Sequence, residues 1–581
     1  MPLDAAPPRQ PSRPAQHEGR EVGEMLSRLN RRLASLRAAR DPYMATWREL
    51  RDFILPARGR LDTQPQPGDT RRGRTEQTRI LDRTATKAAA DLSAFLMAGM
   101  TSPARPWFRL TVPDQDLADV SEVRAWLDEV RDRMNKVFAA SNFYNAMATL
   151  YTELAGFGTG AVLIVQDYDT VIRCYPLTAG EYMIGLDQRL RADTLYREYV
   201  ITIGQAAAQF GLENLSIGAR QAHEAGRLDQ EIVVCHAIEP NERRDRARGD
   251  WRRLPWLSVW WEVGRQGERA LSIRGFHDFP VIAPRWDVVG SDPYGHGPGE
   301  DALPDVKALQ FLKRKRARVV DKMAEPPLVA PASLAQSQIS VLPNAVNFVS
   351  DAATAKLSPL YAMPPHTQSL DLEIAEAREA IRQTFKGDLI TMFAASDRRE
   401  MTAAEVAARS EEKMLMLGPV LERFHDEALN PVIDIVFGIM ARGGLLPPIP
   451  DLLRGRHVEP DYISLLAQAQ KAIGTTAIER VVGFVGNLAQ AVPEVLDNLN
   501  TDETVGVYHN LLGASPRMLR GDDEVAAIRK ARAEAAAKAQ AMEQAQAMAA
   551  SVKQGAEGAR LLSETQTGAG QNALSQILGN G

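Results

Sequence analysis

Tyr294-Gly295-His296-Gly297-Pro298-Gly299 is the stretch of this sequence nearest in texture to a phosphate-cradling loop. Such loops work because glycines let backbone N–H groups approach a phosphate at the mouth of a helix. The spacing is not GxGxxG, Pro298 lacks a donor, and no Gly-Lys dipeptide occurs in the chain. A glycine-rich turn that reverses the chain at a helix entry is the better reading. His223-Glu224 leads to Arg227 and not to a second histidine, so the HExxH zinc pattern fails. Cys235 and His236 are neighbours on a predicted strand and must face opposite sides, which rules out a nucleophile–base pair between them. With no GxSxG either, a catalytic centre would have to be assembled without a recognisable motif, and the sequence points away from an enzyme.

Charge offers more. Lys313, Arg314, Lys315, Arg316 and Arg318, with Lys307 and Lys322 nearby, form the strongest basic cluster. Contact with a DNA backbone is one reading. The other is pairing with an acidic set of matching extent, Asp371, Glu373, Glu376 and Glu379. Pairing is favoured, because ion pairs fix register and partner choice better than they add stability. A third group is apolar: Leu389, Ile390, Met392 and Phe393, flanked by Asp388, Asp397, Arg398 and Arg399. It reads equally as core or as a loop tip projecting into a cavity.

Both charged sets lie on helices. Residues 298–322 predict one of roughly 25 residues, about 38 Å long, with Pro304 as an alternative start of regular helix. Pro326-Pro327 end it, and a turn-rich, β-favouring insert follows. A second helix returns from near Thr367–Leu370 to Gly387. The result is a long hairpin arm, a shape of little use to a compact enzyme and of obvious use to a ring that builds a tube. Before the arm, 21–290 reads as one α+β domain. It opens with Leu26, Leu29, Leu33 and Leu36 at helical spacing, broken at Pro42, and continues through short β-branched runs such as 161–166, 171–176, 194–203 and 231–239. After the arm, Thr402-Ala-Ala-Glu405 fits a capping box, and the helix it starts should kink at Gly418-Pro419 and kink or break at Pro431. Past a linker at 445–453 the chain is helical again, ending in an Ala- and Gln-rich helix over 522–553. The fold class is therefore mainly α, with an α+β domain first.

The chain has 581 residues, enough for several domains, with 45% hydrophobic and 25% charged. A formal net charge of −5 argues against a strongly basic nucleic-acid clamp. Cys174 and Cys235 are too few for a disulfide framework. No run of about 18 apolar residues predicts a membrane span. Residues 1–20, rich in proline and charge, read as a disordered arm.

Several blocks, in order, resemble the portal (head-to-tail connecting) proteins of short-tailed, T7-like bacteriophages. They are MAGMTSPARPWFRL (97–110), GFGTGAVLI (156–164), RWDVVGSDPYGHGPGEDALPDVKAL (285–309), EPPL (325–328), MTAAEVAARSEEK (401–413) and LGPVLERFHDEALNPVIDIVFGIM (417–440). The resemblance covers roughly 25–540. The proline-rich first twenty residues and His296, where an arginine is more usual, depart from it.

The resemblance implies a ring-forming portal fold of twelve subunits around an axial channel. Residues 21–290 would be the wing, 291–324 and 367–386 the stem helices, and 325–366 the clip. Residues 387–400 would be the tunnel loop, with Leu389, Ile390, Met392, Phe393, Arg398 and Arg399 at the channel. Residues 401–445 would be the kinked helix, 446–555 the helical crown and 556–581 a flexible tail. Lys313, Arg314, Lys315, Arg316, Arg318, Asp371, Glu373, Glu376 and Glu379 would line the stem's subunit interface. It implies no cofactor, no metal and no membrane. Expected partners are the major capsid protein, the scaffold protein, the terminase large subunit, a tail adaptor, internal core or ejection proteins, and double-stranded DNA in the channel. Assembly would take place in host cytoplasm and the product would sit at one vertex of the virion. The rival expectations are a non-ring scaffold protein, a DNA-processing enzyme and a membrane pore.

Overall fold

The computed structural model describes residues 16–61, 67, 80–118, 120–264, 269–326, 328–332, 340, 358–359, 367–388, 390, 418–456, 458–463, 478–489, 492–512, 522–564, 566–567 and 571–572. Two compact units are present, one of Met1–Asp114 with Ala125–Glu479 and one of Gln115–Arg124 with Arg480–Gly581.

The first unit is built on two antiparallel sheets. Helix α1 (Gln16–Phe53) comes first. Its leucines at 26, 29, 33 and 36 are buried, as the spacing predicts. They pack on one face of a five-stranded sheet of order β4-β5-β6-β7-β8. Those strands are β4 (Tyr182–Leu186), β5 (Ala192–Thr202), β6 (Glu231–Pro240), β7 (Trp256–Glu262) and β8 (Ser272–Phe276). Met183, Tyr196, Cys235, Ala237, Leu257, Val259 and Trp261 complete that core layer. Each buried leucine, valine or methionine of that layer contributes about 1.5–3 kcal/mol. Two short helices, α6 (Ile203–Phe210) and α7 (Ile217–Glu224), cover the other face through Ile203, Ala206, Phe210 and Ala222. Thr202 and Gln205 form a capping box at the start of α6. A second sheet, β3-β2-β9, joins β2 (Ala161–Asp167), β3 (Val171–Leu177) and β9 (Val281–Ile282).

Pro42 does not break α1, contrary to the sequence expectation. The missing N–H costs one helix bond, and contacts on both sides of the proline hold the helix through it. Arg40 donates to the carbonyls of Gly180 and Tyr182 at 2.7 and 3.3 Å. Tyr43 and Trp47 pack edge-on against the buried ring of Tyr294, with centroids 5.1 and 4.9 Å away.

Helices α2 (Thr84–Met100), α4 (Ser121–Ala140) and α5 (Phe143–Phe157) lie beside the sheets in the sequence, with β1 (Phe108–Thr111) between α2 and α4. Helix α2 begins at Thr84, whose N–H donates to the Asp82 carboxylate at 3.0 Å. Strand β10 (Glu459–Tyr462) pairs antiparallel with β1, Phe108 opposite Tyr462. Trp107, Phe108, Phe138 and Phe143 form an aromatic core beside that pair.

The second unit contains the short α3 (Gln115–Ala118) and two helices near the C-terminus, α11 (Thr501–Leu512) and α12 (Asp522–Glu564). Arg529 of α12 holds Asp502 of α11 through two bonds of 2.6 Å. From Glu524 to Arg560 almost every described side chain of α12 is exposed, Met542 and Met548 among them.

Candidate functional site

The arm is present as two antiparallel helices, α8 (Pro298–Ala324) and α9 (Gln368–Thr384), packed side by side. Helix α8 starts at Pro298 itself and not at Pro304, because proline suits the first helical position and its missing donor costs nothing there.

The glycine-rich motif seats the arm. The turn at Gly156–Gly160 and the turn at Gly295–Gly299 are in backbone contact. A Cβ on Gly299 would lie 2.2 Å from the Gly156 carbonyl oxygen, and one on Gly297 would lie 2.6 Å from Gly158 Cα. Gly158 has φ +73°, and its own Cβ would meet the Gly295 oxygen at 2.5 Å. Gly295 N–H donates to Thr159 Oγ1 at 2.7 Å, and Trp286 N–H donates to the Gly158 carbonyl at 2.8 Å. The space a phosphate would need is filled by the chain's own backbone, and Glu300 and Asp301 occupy the first turn of α8. His296 bonds Glu300 at 2.8 Å.

From this seat the inner half of α8 is buried through Ala302, Leu303, Val306, Leu309 and Gln310. Beyond Gln310 the helix emerges, with Phe311 and Val320 exposed, as is Leu372 on α9. The expected cross-helix pairing forms between Arg316 and Asp371 at 2.5 Å, where the guanidinium's hydrogen bond holds the carboxyl below its usual range. The other charges behave differently. Lys313 reaches Asp82 at 3.4 Å, and Glu379 bonds Arg382 of its own helix at 3.2 Å. Lys315 sits over the Phe311 ring at 4.5 Å. Arg314, Arg318, Glu373 and Glu376 are exposed.

Asp82 is the residue the sequence did not announce. It is buried and takes hydrogen bonds from Thr84 Oγ1 at 2.6 Å and Arg378 Nη2 at 2.7 Å. Burial opposes its charge, but the bonds from Thr84 and Arg378 outweigh that and bring its pKa down to about 2. Gln310 of α8 accepts from the N–H groups of Leu81 and Asp82 at 2.7 and 2.9 Å and donates back to the Asp82 carbonyl at 2.8 Å. One short loop thus grips both arm helices.

The third element at the seat is a bent helix. Residues 418–424 lead into a π turn, His425–Leu429, and on into α10 (Asn430–Arg442). Pro431 does not break it. The Asn430 N–H bonds the carbonyl five residues back, at His425, and this wider turn accommodates the proline's missing donor within a continuous helix. Glu427 of the π turn accepts from the Arg285 N–H at 2.9 Å and from its guanidinium at 2.5 Å. The same guanidinium donates to the carbonyls of Leu190 and Asp292 at 2.7 and 3.1 Å. Tyr462 closes the region, stacked on His425 at 4.3 Å and bonded to Asn430 Oδ1 at 2.5 Å.

Of the residues expected in a tunnel loop, Leu389, Met392, Phe393, Arg398 and Arg399 lie outside the described residues, as does the helix expected over 403–417. Ile390 is described, half-buried, with its N–H on the Lys386 carbonyl at 3.3 Å.

Two buried titratable groups have structural partners. Cys235 and His236 do face opposite sides of β6: Cys235 enters the α1 core, while His236 stacks on Trp260 at 3.9 Å. His236 accepts from Arg197 Nε at 3.2 Å and bonds Ser258 Oγ at 2.9 Å, and burial with the Arg197 charge keeps it neutral. A cation behind the ring is the reverse of the orienting carboxylate a Ser–His catalytic pair needs. Glu153 is buried under bonds from Thr178 Oγ1 at 2.9 Å and Ala179 N–H at 3.1 Å, and desolvation pushes its pKa up to about 7. Among the described residues no helix is long and apolar enough to cross a membrane, and no group of His, Cys, Asp and Glu is placed to hold a metal ion.

The model of the bacteriophage head to tail connecting protein family matches residues 26–519. The portal protein of Salmonella phage epsilon15 is 41% identical over 543 residues, which is 93% of this chain and 96% of that protein. A probable portal protein of Bordetella phage BPP-1 is 40% identical over 547 residues, 94% of this chain and 96% of that one. A chain in the virion of a native gene transfer agent particle aligns over 74% of this chain and 90% of its own length, at 12% identity and a TM-score of 0.36, too slight a likeness to carry a conclusion. With a family match over most of the chain and relatives matched nearly end to end, the chain belongs to the bacteriophage head to tail connecting proteins and is a portal protein.

Proposed function

We propose that this portal protein works as a ring of twelve subunits at one capsid vertex of the virion, through which double-stranded DNA is packaged and later ejected. The observation that carries this reading is the arm. Two helices rise from a rigid backbone seat and present Phe311, Leu372, Arg314, Arg318, Glu373 and Glu376 uncovered. In a closed ring each subunit needs one heterologous surface that meets a different surface of its neighbour. A basic edge on α8 and an acidic edge on α9 supply such a pair.

In this reading the subunit is a passive conduit. A separate terminase large subunit hydrolyses ATP and drives the DNA, and the clip, 325–366, docks first the terminase and later the tail adaptor. The tunnel loop, 387–400, meets the duplex. The crown, 446–555, faces packaged DNA or internal core and ejection proteins, while the wing meets the major capsid and scaffold proteins. Duplex DNA carries a charge every ~1.7 Å, so a wall that gripped phosphates tightly would stall sliding; a chain of net charge −5 avoids this.

Mass measurement and negative-stain microscopy of the purified chain test the ring. Closed rings are expected in host-cytoplasm extracts or with scaffold protein. A monomer under every condition would leave a non-ring virion scaffold as the better reading, and magnesium-dependent nuclease or ATPase activity of the pure protein would replace both with an enzyme.

A further inference from the structure

The hairpin between β6 and β7, residues 241–253, carries six arginines and three carboxylates. It is ordered by its own backbone. Asn241 Nδ2 donates to the carbonyl of Leu254 at 2.9 Å, the Asp245 N–H bonds the Arg252 carbonyl at 2.8 Å, and Arg244 Nε donates to the Arg253 carbonyl at 3.0 Å. Arg243, Arg246 and Arg248 are exposed, and among the described residues Arg243 and Arg246 have no carboxylate partner. Where the hairpin meets the start of α1, a cleft of about 80 Å³ opens. Apolar Val22, Met25, Trp251 and Leu257 line it, together with Arg243 and Arg252 and the carboxylates of Glu21 and Glu242. The Arg252 guanidinium carbon sits over the Trp251 ring, 4.7 Å from its centroid, and the side chain is fixed by Glu21 and Asp250 at 3.0 and 2.6 Å.

We propose that this cleft is a docking site for an acidic segment of a partner protein that inserts one apolar side chain between the arginines. Charge complementarity argues for an acidic partner, since guanidinium forks match carboxylates in bidentate geometry. An apolar lining beside tryptophan and arginine is the composition of a protein-binding hot spot. The carboxylates of Glu242, Asp245 and Asp250, set between the arginines, break up the positive surface that a continuous phosphate backbone would need. The chain's own first fifteen residues are a poor occupant, with Arg9 and Arg13 against one carboxylate, Asp4. The site lies wholly on the wing and does not depend on ring formation.

The test uses the full chain and fluorescence anisotropy with three probes: a short acidic peptide with a central leucine, the same peptide with serine in its place, and a DNA duplex of about 20 base pairs. The leucine peptide should bind more tightly than the serine peptide. Arg243→Glu and Arg246→Glu, made separately so that misfolding of one leaves the other informative, should each weaken it by about tenfold without moving the melting temperature. Equal binding of the two peptides, binding of the duplex with the same arginine dependence, or no peptide binding at all would overturn the proposal.

Discussion

Arg285 meets Glu427 across 142 residues of chain, giving it both a backbone N–H at 2.9 Å and a guanidinium bond at 2.5 Å. The pair ties the block that launches the arm to the bent helix at 418–442. Both side chains are largely buried, at 6% and 15% exposure. A buried pair adds little net stability over an apolar one, but removing one partner strands the other. Arg285→Ala and Glu427→Gln should each cost about 3 kcal/mol in denaturant unfolding of the subunit. The double substitution should cost less than the sum by about 1–3 kcal/mol, and simple additivity would mean the two residues act separately.

The seat makes a steric prediction. Gly299→Ala and Gly158→Ala push a methyl into backbone at 2.2 and 2.5 Å. Either should destabilise the subunit by about 3 kcal/mol or more, or prevent soluble expression. Gly249→Ala, in open space, is the control and should leave the melting temperature unchanged.

Asp82 sets a low-pH limit on the arm. Its carboxyl has a folded pKa of about 2, against 3.8 for an ordinary aspartate. The folded state therefore binds fewer protons, and the stabilisation is complete above the unfolded value and lost as pH falls toward 2. Hydrogen exchange of α9 should accelerate across that window. Asp82→Asn, which leaves Arg378 and Lys313 without their acceptor charge, should show the faster exchange already at neutral pH.

Glu153 acts in the opposite sense. Its folded pKa, pushed up to about 7 from 4.5, means the folded state holds a proton that the unfolded chain releases. Stability from this group is full at low pH and declines as pH rises from 4.5 to 7. Glu153→Gln should flatten that part of the stability–pH curve; an unchanged slope would assign it to other groups.

The charges on the two arm helices separate by role. Lys313 and Arg316 already have partners within the chain, so their reversal should loosen the arm of a single subunit. Reversal of Arg314 and Arg318, which are exposed, should spare the subunit's melting temperature and reduce the yield of rings. Glu373→Lys with Glu376→Lys should partly restore that yield. Failure to restore it would favour DNA contact at Arg314 and Arg318.

The arm was legible because its signals are local: proline at the helix start, two prolines after its end, and a continuous polar pattern between. The strands of the larger sheet were legible where β-branched and aromatic residues ran together, as at Glu231–Pro240. Tyr182–Leu186 and Ser272–Phe276, short and each containing glycine, were missed, and so was Glu459–Tyr462, whose proline and two acids suit only a strand held by a partner. The role of Tyr294–Gly299 was readable as a turn, but its fit to Gly156–Gly160 was not, because contacts between distant backbones leave no periodicity. Asp82 sits beside a polar stretch and is given its task by Arg378, nearly 300 positions away. The arginine hairpin escaped notice because its charges alternate with acids instead of running together.

The glycine seat fixes the pitch of the arm by excluded volume. Attraction between ions weakens with salt and changes with pH, whereas two backbones that cannot interpenetrate keep their spacing in any solvent that leaves the fold intact. The same subunit therefore combines a joint indifferent to ionic conditions with a flank of charges whose pairing weakens as salt rises.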